Sequence, residues 1–227
     1  MENPKDYRIK IVTGQYHIAS PEQKQMIQEL FGENAEYKYE IYFHWYNMLH
    51  ELGHAIMMFN ASSRPHPAEE EQLVNNFAYA YWKHYGEQAK LDSLCSIVNE
   101  TIKRFSIPAH NNESYLDFAK NLWGTEELFT FNNYGWFQFS SVQAAMKESL
   151  DLEQALNRMC ATKISTQKVD TLKYEICDQM ASQVVADAVM LMKDWGVLLP
   201  SGSEIVFCDD VNCHMCQVEN ILDGRVF

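Results

Sequence analysis

The chain has 227 residues and a formal charge of −13, with 47% hydrophobic and 13% aromatic residues. That length suits one domain or one domain with a small appendage, and the composition excludes a disordered polymer. So acidic a surface repels phosphate backbones, no Lys/Arg run offsets it, and direct nucleic-acid binding is not expected.

Met1 to Tyr16 is polar and lacks the apolar core of an export signal. The longest apolar stretch, Val184 to Met192, is interrupted by Asp187 and is too short to span a bilayer. A cytoplasmic protein with no membrane contact is expected, and its six cysteines are expected as thiols or metal ligands and not disulfides.

Tyr7 to Val12 reads as a strand with Ile9 and Ile11 on one face. Pro21 to Phe31 reads as a helix capped by Ser20, with Pro21 at its first position and Gly32 just past its end. A longer helix is predicted from about Glu40 to Asn60, although Tyr39 to Phe43 fits a strand as well. Arg64-Pro65-His66-Pro67 reads as a loop, and a third helix runs from about Pro67 to Tyr85, stopped by Gly86. Further helical patterns cover about Ala89 to Phe105, Glu113 to Trp123, Ser141 to Cys160 and Thr171 to Trp195. The aromatic segment Phe129 to Phe139, centred on Asn-Asn-Tyr-Gly, reads as a hairpin or a loop lining a cleft. The best candidate boundary falls near Phe139. The expected organisation is therefore a domain over 1–139 and a helical subdomain over 140–227 with a Cys-rich tail.

Within the second predicted helix, Ile41, Trp45, Met48, Leu52, Ile56 and Phe59 form one apolar stripe. His50 and His54 lie on the opposite side, one turn apart, where two imidazoles can reach one tetrahedral zinc. Glu51 projects beside them, where it can touch a metal-bound water without ligating the metal. A chance His-Glu-x-x-His is expected about 0.02 times in a chain like this, so the match favours a metal site over a pair of core histidines. Gly53 weakens a helix interior unless another backbone packs closely against it.

A third histidine six residues after His54 would require glycine and histidine where Met57 and Asn60 stand, which excludes that class. The next acids are Glu69, Glu70 and Glu71. Two of them are accounted for as first-turn acids that complement the helix dipole. Glu71 has Asn75 one turn later on the same face, suited to orient a ligand histidine through its other ring nitrogen. Glu71 is therefore the expected third ligand, with Glu70 the runner-up.

His50-Glu51-Leu52-Gly53-His54 followed by Glu71-Gln-Leu-Val-Asn75-Asn-Phe77-Ala78 resembles the gluzincin metallopeptidases, in particular the ImmA/IrrE type, whose second motif reads approximately Glu-x-x-Ala-Asn-x-Phe-Ala. Val74 replaces the usual Ala, and Tyr79 to Tyr85 departs from the family's Leu-Leu-x-Pro continuation. The resemblance covers about Tyr7 to Tyr85. It implies His50, His54 and Glu71 as zinc ligands, Glu51 as catalytic base and Asn75 as the residue that supports a ligand. It also implies a protein or peptide substrate, often a regulatory protein. Many members carry a helix-turn-helix, and none is visible here.

The fold class expected is α+β, mainly helical, with a zincin-like core: a small sheet beside two metal-bearing helices, plus a helical C-terminal extension. The expected chemistry is peptide-bond hydrolysis, with an oxyanion donor drawn from Tyr134, His110, His84 or Tyr115 and Tyr134 favoured. His44 and His66 are read as packing, capping or cleft residues. Cys208, Cys213 and Cys216, in Cys-x4-Cys-x2-Cys spacing, are compatible with a second, structural zinc completed by His214 or Cys177, against a reading as plain thiols. They also match the first three ligands of one iron–sulfur spacing, but no fourth cysteine follows. Two other classes remain open: a zinc-containing binding module that cleaves nothing, against which Glu51 argues, and a zinc hydrolase of non-peptide amides. Nothing in the sequence speaks to oligomeric state.

Overall fold

A computed structural model describes residues 3–106, 113–200 and 202–227. The first strand, β1 (Tyr7–Gly14), buries Tyr7, Ile9, Ile11 and Thr13 on one face by the period-two rule. Helix α1 (Pro21–Phe31) begins and ends where its signals lie. Ser20 Oγ accepts from the Gln23 amide at 3.3 Å, Pro21 opens the first turn, and Gly32 leaves it at a φ of 71°.

From Ala35 to Asn60 the chain is one helical rod. It comprises α2 (Ala35–Tyr39), a π-helical stretch (Glu40–Tyr46) and α3 (Asn47–Asn60), so Tyr39 to Phe43 is not a strand. Ile41, Tyr42, His44, Trp45 and Tyr46 are all buried in the π stretch. A wider turn of this kind shifts the helix register just before the two metal-motif histidines.

Helix α4 (Pro67–Tyr85) follows, capped by the His66 ring and by Glu69 reaching back to the cap. It packs along α3 so closely that a Cβ on Gly53 would lie 2.8 Å from Val74 Cβ. Trp45 stacks on Trp82 at 4.0 Å, and Trp82 Nε1 donates to the Trp45 carbonyl at 3.1 Å. Helices α5 (Gln88–Thr101), α6 (Tyr115–Leu122), α7 (Phe131–Glu148), α8 (Leu152–Met159) and α9 (Met180–Asp194) complete the helical layer.

Three sequence expectations change here. Phe131 to Phe139 is neither hairpin nor loop but the start of α7, capped by Thr130. Gly135 serves a close approach and not a turn: a Cβ there would meet the Phe105 ring at 2.5 Å. The predicted helix from Ser141 to Cys160 is split into α7 and α8 at Ser149, which adopts a left-handed φ of 51°, with Asp151 capping α8. The helix predicted from Thr171 begins only at Met180.

The tail forms β2 (Gly202–Cys208) and β3 (His214–Asn220), with strand order β2-β1-β3. β1 is central, parallel to β2 with Ile11 beside Ile205, and antiparallel to β3 with Ile11 beside Cys216. The sheet packs on α3 and α9. One hydrophobic core runs from Ile9 and Ile11 through Leu52, Val74 and Tyr81 to Val184 and Met192. The boundary expected between 139 and 140 lies inside α7, and the sheet binds both ends of the chain into that core. The class is α+β, mainly helical. No helix among the described residues is long and apolar enough to cross a membrane.

Candidate metal centre

His50 and His54 project from α3, and Glu71 from the facing turn of α4. Their ligand atoms gather within 4.8 Å of one another. His50 Nε2 lies 3.2 Å from Glu71 Oε2, and His54 Nε2 lies 3.6 Å from Glu71 Oε1. Ligand atoms about 2.1 Å from a tetrahedral ion are about 3.4 Å apart, and each histidine stands near that separation from one Glu71 oxygen.

Each imidazole is held from behind. His50 Nδ1 meets Asn75 Oδ1 at 2.9 Å, and His54 Nδ1 meets Glu70 Oε1 at 2.7 Å. Tyr46 donates its hydroxyl to the same Asn75 oxygen at 2.9 Å, while Asn75 Nδ2 donates to Ser141 Oγ at 3.0 Å. This network fixes the Asn75 oxygen as an acceptor, places a His50 proton on Nδ1 and turns Nε2 toward Glu71. Arg64 pairs with Glu70 from the outside, so Glu70 is committed to holding His54 and is not the ligand.

Burial opposes both charges at the centre, but mutual pairing overcomes it. Glu71 is held down to about 2 by its contacts with His50, His54 and Gln138. Burial disfavours the His50 imidazolium too, yet the Glu71 hydrogen bond and charge raise its pKa to about 9. Glu71 is thus a carboxylate at any ordinary pH, as a metal ligand must be.

Glu51 lines the same cleft, and Asn47 Nδ2 donates to its Oε1 at 3.1 Å. Tyr134 faces the site from α7. Gln138 Nε2 donates to the Tyr134 hydroxyl oxygen at 2.9 Å and to Glu71 Oε2 at 2.8 Å. Burial, with Glu71 and Glu51 nearby, pushes the Tyr134 phenol well above its usual range, so it stays a proton-bearing donor. The cleft has a volume of about 880 Å³ and runs between α1, the π stretch, α3, α7 and β3.

The other candidates lie elsewhere. His84 is exposed on α4 beside Tyr85. Tyr115 donates its hydroxyl to Gln72 and packs in the small cluster under α6. His110 falls outside the described residues. His44 fastens its helix to β1, with Nε2 at 2.8 Å from the Gly14 carbonyl, and His66 caps α4.

The tail cysteines do not make a second centre. Among the described residues His50, His54 and Glu71 are the sole group of three or more ligating side chains that converge. His214 has both ring nitrogens committed, Nε2 to the Val211 carbonyl at 2.8 Å and Nδ1 to Thr13 Oγ1 at 2.9 Å. Burial lowers its pKa to about 3. Strand geometry turns Cys216 onto α3, and all six cysteines are free, Cys177 among them at the surface.

Sequence reasoning did not find Glu70, Gln138, Asn47 or Tyr46 in these roles. Asn47 had a usable signal, one helical turn before Glu51. No protein-family model, no curated protein and no solved structure matches the chain.

Proposed function

We propose that the chain is a zinc-dependent hydrolase of peptide bonds, with a zincin-like core made of α3, α4 and the small sheet. One observation carries this reading. Two imidazole Nε2 atoms lie 3.2 and 3.6 Å from the two oxygens of one carboxylate, and a second carboxylate, Glu51, lines the same cleft. Two nitrogens and one oxygen form a donor set suited to zinc that leaves a fourth position open. Zinc held by His50, His54 and Glu71 supplies Lewis-acid activation of a water and of a carbonyl when bound.

The protein's own residues carry the remaining steps. Glu51 accepts the proton of the attacking water on the oxygen that Asn47 leaves free, then returns it to the leaving amine nitrogen. Tyr134, kept protonated, donates to the carbonyl oxygen as charge develops there. Asn75 and Glu70 hold the two imidazoles in the tautomer that directs Nε2 inward. The resemblance to gluzincins of the ImmA/IrrE type agrees with this assignment.

Protein purified without chelator is expected to carry about one zinc per chain. Glu51→Gln should keep that zinc and lose roughly 10²–10⁴-fold in turnover. The readout is a proteome-wide comparison of cleaved termini made by the two proteins. Metal-free protein would remove the centre, and full activity in Glu51→Gln would remove the base.

A further inference from the structure

We propose that Gln138 is a positioning residue: its side-chain nitrogen holds the Glu71 carboxylate with one proton and, with the other, reserves the Tyr134 hydroxyl proton for a group in the cleft. The catalytic consequence rests on the hydrolase reading above, whereas the placement of the protons does not.

The first argument is an inventory of hydrogens. A primary amide nitrogen carries two protons and accepts nothing. Gln138 Nε2 lies 2.8 Å from Glu71 Oε2 and 2.9 Å from the Tyr134 hydroxyl oxygen, so each proton has one target. Turning the amide over would set Oε1 against the Glu71 carboxylate, acceptor against acceptor, so the nitrogen faces inward. The Tyr134 oxygen is therefore the acceptor in its bond with Gln138, and its own proton cannot lie along that line. Among the described residues this hydroxyl has no second hydrogen-bond partner, and Tyr134 lines the cleft. Its proton is left for an acceptor that enters the cleft.

The second argument is what Gln138 keeps apart. Of the carboxylates around the phenol, Glu71 acts on it most strongly, ahead of Glu51. With the amide gone, the phenol proton and the Glu71 carboxylate make a charge-assisted donor–acceptor pair. That bond would occupy the oxyanion donor. It would also draw Glu71 Oε2 away from His50 Nε2, which lies 3.2 Å off.

The third argument is placement. Gln138 and Ser141 follow Tyr134 by four and seven residues on α7, so the three share one face of that helix. Ser141 Oγ accepts from Asn75 Nδ2 at 3.0 Å and donates to Gln72 Oε1 at 3.1 Å. This polar stripe backs both the third ligand and the residue behind His50. Gln138 is the member of it that touches ligand and donor together.

The test uses the full-length protein and three readouts. Raman difference spectra, wild type minus Tyr134→Phe, isolate this phenol, whose ring doublet separates a hydroxyl oxygen that accepts a hydrogen bond from one that only donates. Gln138→Leu and the near-isosteric Gln138→Glu, each compared with its own Tyr134→Phe double variant, are expected to shift the doublet from accepting to donating. Chelator competition should show zinc affinity reduced roughly 10–100-fold in both. The third readout is turnover at saturating zinc, on a peptide spanning a site found in the comparison of cleaved termini. There Gln138→Leu should lower kcat at least about 10-fold and leave KM nearly unchanged. In the Tyr134→Phe background the same change should cost kcat almost nothing, because the hydroxyl it serves is gone. A side chain that only packs would lower kcat equally in both backgrounds. An unchanged doublet, an unchanged zinc affinity or additive losses of kcat each overturn the proposal. The two readings fail separately. Absence of zinc or of wild-type cleavage strikes the hydrolase assignment, and the Raman doublet still decides whether Gln138 directs the Tyr134 proton.

Discussion

Asn75 makes three side-chain contacts that bear on the centre: it accepts from Tyr46 and His50 and donates to Ser141. Asn75→Ala removes the acceptor behind His50 and frees that ring to turn or change tautomer. Metal affinity is expected to fall roughly 10–100-fold, measured by chelator competition; an unchanged affinity would show that the ring is held by packing alone. Removing the metal should also create a pH dependence. His50 is raised to about 9 by Glu71 against the cost of burial. A raised pKa contributes stability that is complete below about 6.5 and is lost as pH rises through the folded value. Stripped protein should therefore melt at progressively lower temperature from pH 6.5 to 9. Zinc-loaded protein should not, since the metal binds the neutral ring. Glu71 works in a different window, below its ordinary range, and does not mask this effect. A flat profile for the stripped protein would mean that His50 and Glu71 do not form the pair. His50, His54, Glu71 and Asn75 were legible because helical spacing stacks them on two faces. The role of Glu70 was not, because neighbours in a helix point about 100° apart. That angle places Glu71 at the Nε2 atoms and Glu70 at the far side of His54, which only the packed helix pair reveals.

Close approach of α3 to α4 is what brings Glu71 within reach of both histidines, and Gly53 permits it. A methyl group at 53 would lie 2.8 Å from Val74 Cβ and 2.9 Å from Val74 Cγ1. Gly53→Ala gains about 1 kcal/mol of helix propensity but incurs an overpacking cost of about 1–3 kcal/mol. The expected result is a net loss of stability and of metal affinity. In a Val74→Ala background the clash is removed, so the same change should be neutral or stabilising. A denaturant-unfolding double-mutant cycle reads this directly, and additivity of the two changes would refute the contact. Gly53 was legible because a glycine between two predicted metal ligands demanded a reason. Gly135 was misread by the same logic applied to a different neighbourhood. Beside Asn132, Asn133 and Tyr134 it signalled a turn, whereas α7 needs it for the Phe105 ring. A glycine states that space or an unusual backbone angle is required, and only the partner element decides between them.

The sheet decides what counts as a folding unit. β1 sits between two strands from the far end of the chain, so neither of its edges is completed by anything before residue 200. The strands were hidden in the sequence because the cysteine spacing drew a metal reading onto Cys208, Cys213 and Cys216. Pairing across so many residues also leaves no local signal beyond weak alternation. If one core spans the whole chain, a fragment of residues 1–139 cannot fold. It ends inside α7, lacks the Ser141 that Asn75 donates to, exposes both edges of β1, and uncovers the apolar surface that Val184, Ala188 and Met192 of α9 bury. Two unpaired strand edges and a bared core face favour aggregation over a compact state. The fragment should show no cooperative thermal transition. It should compete no better for zinc than an unstructured peptide carrying the same two motifs, since the facing of α3 on α4 is what assembles the ligands. A fragment that melts cooperatively and holds zinc with the affinity of the full chain would restore an independent N-terminal domain. It would also reduce the tail strands to an accessory of the cleft, not part of its foundation.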